Sequence, residues 1–267
     1  MISIVTVCFN EEKGIDPTLS SICSQTYRDY EVIVKDGGSS DGTVAKAEKW
    51  RERFEEKGAG FKLISGKDKG IYDGMNLGVL EASGEFVCFM NAGDSFFSPD
   101  VLEKIFKDND YEGVDLIYGD AAEEEFGELH YFRKCPELIE SRMPFCHQSV
   151  FVRRSLLLEY PFDLNLKIAA DYDFLLKLHD RGSIFMDSGV LTAKIGKTGT
   201  SSLKLKDTYL ESLKLRKAHG IKVPEGNELK RKLIWLDIKQ FGMDHFPNGL
   251  KYVIRKVQRR LRGQKRV

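Results

Sequence analysis

Apolar and polar positions change period regularly along the first hundred residues. Ile2–Phe9 is an apolar run rich in β-branched residues, and Asn10-Glu11-Glu12 ends it. Ile15–Gln25 follows with Ile15, Leu19, Ile22 and Cys23 at helical spacing. Glu31–Lys35 is a second short apolar run, closed by Asp36-Gly37-Gly38-Ser39-Ser40-Asp41-Gly42. Thr43–Phe54 reads as a helix and Phe61–Ser65 as a third strand. Gly70–Ser83 has helical spacing through Met75, Leu77, Val79 and Leu80, and Glu85–Met90 is a fourth strand ending in Asn91-Ala92-Gly93-Asp94. Strands alternating with helices predict an α/β fold with a parallel sheet and right-handed crossovers. The strands are apolar throughout, which predicts helices on both faces. In such a sheet ligands bind beyond the carboxyl ends of the strands. Three polar clusters stand there: Asn10-Glu11, Asp36–Asp41 and Asn91–Asp94.

The pattern loosens after residue 115. Leu116–Tyr118, Leu129–Lys134 and Ser149–Arg153 are strand candidates of a more irregular half. Asp171–Arg181 is a helix with Phe174, Leu175 and Leu178 on one face; Ile184–Ile195 reads as extended and Gly196–Ser202 as a loop. From Asp207 onward the chain reads as helical. The expected division is a catalytic domain over 1–203 and a C-terminal helical extension over 204–267.

Composition narrows the class. The chain has 267 residues, 42% hydrophobic and 31% charged, the profile of a globular protein with a core of its own. Five scattered cysteines without a Cys-x-x-Cys argue against a zinc knuckle and a disulfide scaffold, and Cys8, Cys88 and Cys146 read as small core residues. No apolar stretch is long enough to span a bilayer, and the N-terminus reads as a first core strand, so the expected location is cytoplasmic. The 41 basic and 41 acidic residues cancel, yet Lys251–Val267 holds eight Lys or Arg and no acid. Leu250, Ile254, Val257 and Leu261 give that segment helical spacing, the pattern of a basic amphipathic helix resting on an anionic membrane; a solvated helix packed on the body is the plainer alternative. Nucleic acid is the poorer partner, because Tyr252 is the segment's one aromatic and the rest of the chain is acidic.

Each candidate site has a plain structural reading beside a chemical one. Asp36–Thr43 joins a strand to a helix, and its glycines permit close backbone approach or simply a well-made turn. It is neither a dinucleotide fingerprint nor a phosphate loop. Asp94 suits a hard divalent cation completed by substrate phosphate and water, or it caps the helix near Pro99. Lys69 is a point charge suited to a phosphate, and Asp73 an N-cap. Asp171 and Asp173 open an amphipathic helix, where an acid is favoured by the helix dipole; a catalytic base is the sharper reading. His147-Gln148 is a lone polar pair, and the five histidines have no metal-site spacing.

Taken together and in order, these segments resemble family 2 glycosyltransferases of the GT-A fold. The resemblance lies in Ser3–Asn10, Asp36–Thr43, Gly70–Asn76, Asn91–Asp94, His147-Gln148-Ser149 and Ala169–Asp173, within about residues 1–200. It implies a mostly parallel central sheet flanked by helices, a nucleotide-diphosphate-sugar donor, Mn²⁺ or Mg²⁺, and inversion at the anomeric carbon. It implies a donor site formed by Val7, Phe9, Asn10, Glu11, Asp36, Ser39, Lys69, Asp73, Asn91, Ala92, Gly93 and Asp94. Phe9–Glu11 and Asp36 would hold the base and Asp94 the metal. Asp171 would be the catalytic base, with His147 and Gln148 on the acceptor side. The acceptor implied is a glycan or lipid-linked glycan of the cell surface, reached at the inner face of the plasma membrane. The family's usual Asp-x-Asp stands here as Asn91-Ala92-Gly93-Asp94, and its usual acid before the base is Ala170. A non-catalytic nucleotide-sugar-binding protein on the same fold is the competing expectation, and a nucleotidyltransferase the third.

Overall fold

The structure is a computed structural model that describes residues 1–125, 128–132, 134–196, 204–247 and 249–250. The chain forms two compact units, residues 1–198 and 199–267. The expected domain boundary at 203/204, the Gly196–Ser202 loop beyond Gly196, and the basic tail Lys251–Val267 lie outside the described residues.

The first unit begins as the periodicity predicts. β1 (Ile2–Cys8) pairs in parallel with β2 (Tyr30–Asp36) on one side and β4 (Phe86–Phe89) on the other, and β2 pairs with β3 (Gly60–Ser65). The crossovers are α1 (Ile15–Cys23), α2 and α3 (Thr43–Glu48 and Arg51–Glu56), and α4 (Ile71–Glu81). Every residue of β1 and β2 is buried, as strands covered on both faces require. The core between sheet and helices holds Ile4, Leu19, Ile22, Val32, Val34, Phe54 and Phe61 among others. Each fully buried side chain of this kind contributes about 1.5–3 kcal/mol.

Beyond β4 the sheet becomes mixed. β8 (Val150–Arg153) runs antiparallel to β4, and β6 (Leu116–Glu125) antiparallel to β8. β9 (Phe185–Ile195) is parallel to β6, β5 (Ser95–Phe96) closes the far edge on β9, and β7 (Glu128–Phe132) forms a hairpin with β6. Among the described residues the order is β3-β2-β1-β4-β8-β6-β9-β5. The remaining helices of this unit are α5 (Val101–Phe106), α6 (Arg154–Glu159) and α7 (Ala170–Asp180).

Two local expectations are corrected. Thr43–Phe54 is not one helix but α2 and α3, broken at Lys49-Trp50. There Lys49 N–H and Trp50 N–H bond three residues back instead of four, and the Trp50 indole N–H donates to Asp16 at 2.9 Å. Cys146 is only partly buried, though packed against the core, unlike Cys8 and Cys88, whereas Cys23, on the apolar face of α1, is buried.

Close approach of α4 to the sheet brings its N-terminus to the site. An ideal Cβ on Gly78 would stand 2.4 Å from Val5 Cγ1, and one on Gly74 2.8 Å from Val7 Cγ1. Four residues apart, these glycines share one helix face, and their bare Cα atoms let the helix settle on β1.

The second unit holds α8 (Leu205–Ala218) and α9 (Gly226–His245). Gly220, at φ 72°, closes α8 in the left-handed conformation that glycine adopts without strain. The start of α8 lies against the later half of α9, through Leu205 N–H to Gln240 Oε1 at 3.2 Å and Lys206 Nζ to Asp237 Oδ2 at 2.8 Å.

Candidate active site

The loops after β1 and β2 are fastened to each other. Asn10 takes a left-handed conformation at φ 53°, unusual for a side chain with a Cβ. Its N–H donates to Ser39 Oγ at 2.8 Å, and its Oδ1 accepts Ser40 N–H at 2.9 Å. Glu11 N–H donates to Thr43 Oγ1 at 2.8 Å, and Glu12 N–H to Asp41 Oδ2 at 3.2 Å. Asp36 lies beneath and is fully buried. It accepts Gly38 N–H and Ser39 N–H at 3.0 Å, Ser65 O–H at 2.7 Å, and the Ser39 hydroxyl. Burial alone would raise its pKa; the hydrogen bonds overcome that and hold the carboxyl below its ordinary value. The geometry gives Asp36 the task of shaping the loop. Val7 is buried and works through its carbonyl, which accepts Ala92 N–H at 3.1 Å. Phe9, 61% exposed, presents an open ring at the rim.

The turn after β4 aims Asp94 inward. Gly93 at φ 98° permits the turn, and Thr18 Oγ1 accepts Gly93 N–H at 3.0 Å while donating to the Asp94 carbonyl at 2.6 Å. Asp94 does not cap α5, whose cap position is Asp100. Its carboxylate instead accepts Gln148 Nε2–H at 2.8 Å and Gly196 N–H at 2.8 Å. Burial pushes its pKa up, against the pull of these two donors and of His147. Glu11 is raised as well, by burial and by Asp41 and Asp94. The site therefore concentrates negative charge in a desolvated place, which favours a cation there.

A single 3₁₀ turn, His147–Ser149, reaches both candidate acids. Ser149 Oγ lies 3.0 Å from the Gly119 carbonyl and 2.8 Å from that of Cys146, anchoring the turn, and Cys146 S–H points at Gln148 Oε1 at 3.2 Å. That contact leaves the Gln148 Nε2–H for Asp94. Next to it, His147 Nδ1 is 3.4 Å from Asp171 Oδ2, and His147 Nε2 is 3.3 Å from Asn91 Nδ2. An amide nitrogen only donates, so Nε2 accepts and the proton of the neutral ring sits on Nδ1, aimed at Asp171. Burial would lower the His147 pKa, but the Asp171 and Asp94 carboxylates raise it overall.

Asp171 lies in the first turn of α7, where it also accepts its neighbour Tyr172 N–H at 2.9 Å. The Tyr72 hydroxyl, from the first turn of α4, stands 3.3 Å from Asp171 Oδ1 and 2.6 Å from the Ile168 carbonyl. Asp173 is elsewhere occupied, paired with Lys177 at 2.6 Å along α7. Asp73 is not the N-cap of α4, which is Gly70, but sits in its first turn and reaches back to accept Lys69 N–H at 2.9 Å; the Lys69 side chain is exposed without an ion pair among the described residues.

The residues fit a divalent cation. Asn91 Oδ1 is buried and has no partner, beside a buried Asp94 that burial makes reluctant to ionise. Among the described residues no group of three or more His, Cys, Asp or Glu gathers. Two protein oxygens suit Mg²⁺ or Mn²⁺, which complete their shell from phosphate and water. Three contributors escaped the sequence reading. Tyr72 lay inside the Gly70–Asn76 segment, its reach to Asp171 hidden by ninety-odd intervening residues. Thr18 and Gly196 act through a hydroxyl and a backbone N–H, for which the sequence carries no signal.

A parallel first half, a mixed second half and acids beyond the strand ends are the architecture of the GT-A fold. The model of glycosyl transferase family 2 matches residues 3–158, and the chain belongs to that family. A PGL/p-HBAD biosynthesis glycosyltransferase of Mycobacterium tuberculosis is 32% identical over 183 residues, 66% of this chain and 69% of that protein. Among solved structures, S. aureus TarS 1–349 in complex with UDP-GlcNAc superposes with a TM-score of 0.65 at 20% identity, covering 87% of this chain and 70% of that one. The match spans 43% of the longer TarS chain. The mannosyltransferase PcManGT from Pyrobaculum calidifontis, in complex with GDP-Man and Mn²⁺, has a TM-score of 0.64 at 19% identity, covering 92% of this chain and 70% of that one.

Proposed function

We propose that the protein is an inverting, metal-dependent transferase that moves a hexosyl or N-acetylhexosaminyl group from a nucleotide-diphosphate sugar, a UDP-sugar first of all, to a hydroxyl of a glycan or lipid-linked glycan in cell-surface polysaccharide assembly. The observation that carries this reading is the His147-Gln148 turn, whose adjacent side chains hold Asp171 and Asp94. Phe9 stacks the base, the clasped loops at Asn10, Glu11 and Ser39 bound its pocket, and Lys69 meets a donor phosphate. Asp94 and Asn91 Oδ1 would hold Mn²⁺ or Mg²⁺, which when bound supplies positive charge against the departing diphosphate.

The chain's own residues supply the rest. Asp171 accepts the acceptor hydroxyl proton through an oxygen facing the site as the hydroxyl oxygen attacks the anomeric carbon. His147 keeps that carboxylate in one orientation, and Tyr72 steadies its other oxygen. Holding donor and acceptor in line on opposite sides of the anomeric carbon lowers the barrier by orientation. Attack from the side opposite the leaving diphosphate inverts the configuration. The catalytic work belongs to 1–203, with 204–267 as the helical extension. The basic segment Lys251–Val267 would draw the protein to the anionic inner face of the plasma membrane, which suits a lipid-linked acceptor. No helix among the described residues is long and apolar enough to cross a membrane.

Thermal melting with UDP, GDP, dTDP and their sugars, each with Mn²⁺, Mg²⁺ or EDTA, tests the donor reading. A ligand at ~100 times its Kd stabilises by about 2.7 kcal/mol. The expected result is a metal-dependent shift with uridine nucleotides. A folded sample indifferent to every nucleotide would overturn the donor assignment.

A further inference from the structure

α9 is apolar on two nearly opposite sides. Leu229, Leu233, Leu236 and Met243 recur on one side, and all are buried or partly buried. On the other, Ile234, Ile238 and Phe241 follow at steps of four and three and are 59%, 67% and 57% exposed. A surface helix ordinarily spends one apolar stripe on its neighbour and turns polar residues to water. Here a second stripe stays exposed among the described residues, its Phe241 ring stacked on His245 of the same helix at 4.3 Å. Trp235 lies beside it, 41% exposed, with the Lys232 and Lys239 ammonium groups 4.8 and 5.4 Å from its ring. Lys230 and Arg231 stand one turn earlier; of the acids on the far flank, Asp237 is turned to Lys206 and Asp244 accepts Gln240 Nε2–H at 3.1 Å.

Charge says what such a face fits. Residues 199–267 hold 18 basic and 6 acidic side chains, net +12, while residues 1–198 hold 23 basic and 35 acidic, net −12. A basic flank of Arg231, Lys232 and Lys239, with a tryptophan at the edge of the exposed apolar stripe and the acids of the other flank engaged by Lys206 and Gln240, matches a surface that is anionic outside and apolar just beneath. Nucleic acid would reward the charge and leave Ile234 and Ile238 in water.

We propose that α9 lies in the plane of an anionic lipid surface, with Ile234, Ile238 and Phe241 entering the headgroup–acyl boundary and the surrounding lysines and arginines against lipid phosphates. This sharpens the membrane reading given above for Lys251–Val267: the tail supplies attraction, and α9 supplies insertion. It does not use the donor or acceptor assignments.

The test is co-sedimentation of the full chain with phosphatidylcholine vesicles, with and without phosphatidylglycerol, at low and high salt. The comparison is with Ile238→Glu/Phe241→Glu and with a chain lacking Lys251–Val267. Long-range attraction fades with salt, whereas inserted apolar side chains hold on. The double variant is expected to bind anionic vesicles at least about tenfold more weakly than wild type at both salts, with its melting temperature unchanged. The truncated chain is expected to lose mainly the salt-sensitive part. Trp235 emission is expected to shift to the blue on anionic vesicles, with Trp235→Phe as the control. Wild-type retention of the double variant would overturn insertion, leaving the tail as the whole attraction. A large drop in its melting temperature would mean that the stripe packs on protein. A wild-type dimer that the variant converts to monomer, with vesicle binding unchanged, would assign the stripe to a second copy; either result overturns the proposal.

Discussion

His147 and Asp171 face each other with Nδ1 3.4 Å from Oδ2, and the far side of the same ring meets Asn91 Nδ2 at 3.3 Å. The ring thus joins Asp171 to the turn that carries Asp94. The amide at position 91, where the family's motif has an acid, matters to this junction. It offers Nε2 a donor, so a neutral His147 can keep its one proton on Nδ1 for Asp171.

From this follows a first prediction. His147→Ala should lower kcat by about 10- to 100-fold, a part of the ~10²–10⁴ that a positioned base contributes. Donor affinity should stay within about twofold. His147→Asn places an amide N–H near the position of Nδ1 and should recover part of the loss. A turnover assay beside a donor titration checks both. A fall in donor affinity that accounts for the whole loss would show that His147 only shapes the donor pocket.

Asp171→Asn should reduce transfer by about 10²–10⁴-fold, because the amide cannot take the hydroxyl proton. The side chain keeps its size and its carbonyl can still accept from Tyr172 N–H, so folding and nucleotide binding should survive. Transfer rates measured beside nucleotide-induced melting shifts separate the two. Unchanged turnover would remove Asp171 from the role of base.

Asp94→Asn should abolish the metal-dependent part of donor binding. An amide keeps one oxygen for Gly196 N–H but loses the charge that a divalent cation needs. The expected observation is a donor-induced melting shift that no longer differs between Mn²⁺ and EDTA. A difference as large as that of the wild type would place the cation elsewhere.

The first half of the fold was legible because its strands are uninterrupted apolar runs with turn residues at their ends. β1, β2 and β4 announce themselves in this way. The break between α2 and α3 was not, since Lys49-Trp50 contains neither Gly nor Pro and carries no local breaking signal. Asp94 and Asp171 were readable as acids beyond a strand end and at a helix start. Their shared support was not, because a 3₁₀ turn has no hydrophobic period to reveal it. The two-unit charge contrast was half visible: the tail stood out as a run, while the scattered lysines of α8 and α9 did not.

Packing of α4 on β1 allows a test that leaves the chemistry aside. Gly78→Ala must find room for a methyl 2.4 Å from Val5 Cγ1 in a fully buried contact. Overpacking of this kind costs about 1–3 kcal/mol. Chemical denaturation should show the loss, with the slope unchanged. A variant as stable as the wild type would mean that α4 lifts from the sheet without penalty, and donor affinity would then report whether the loop before α4 moved with it.

Asp36 ties pH to the integrity of the donor loops. Its carboxylate is buried and its pKa is depressed in the folded chain, because the hydrogen bonds from Ser39, Ser65 and Gly38 outweigh the opposing effect of burial. A depressed folded pKa means that the unfolded chain binds the proton more readily. The stabilisation is therefore complete above the unfolded value of ~3.9 and is lost as pH falls through the lower folded value. Asp36→Asn exchanges an acceptor-only group for one that must donate into a cluster of donors. At neutral pH it should lose about 1.5–3 kcal/mol, the range for hydrogen bonds to a charged group. The gap to the wild type should narrow as the pH drops below ~4, because the unfolded wild-type chain then takes up a proton that the folded carboxylate still refuses. Urea melts of both proteins across that range, restricted to conditions where each refolds, would show the convergence. Parallel curves at all pH values would mean that Asp36 has the same pKa folded and unfolded, and that its charge contributes nothing to holding the loops.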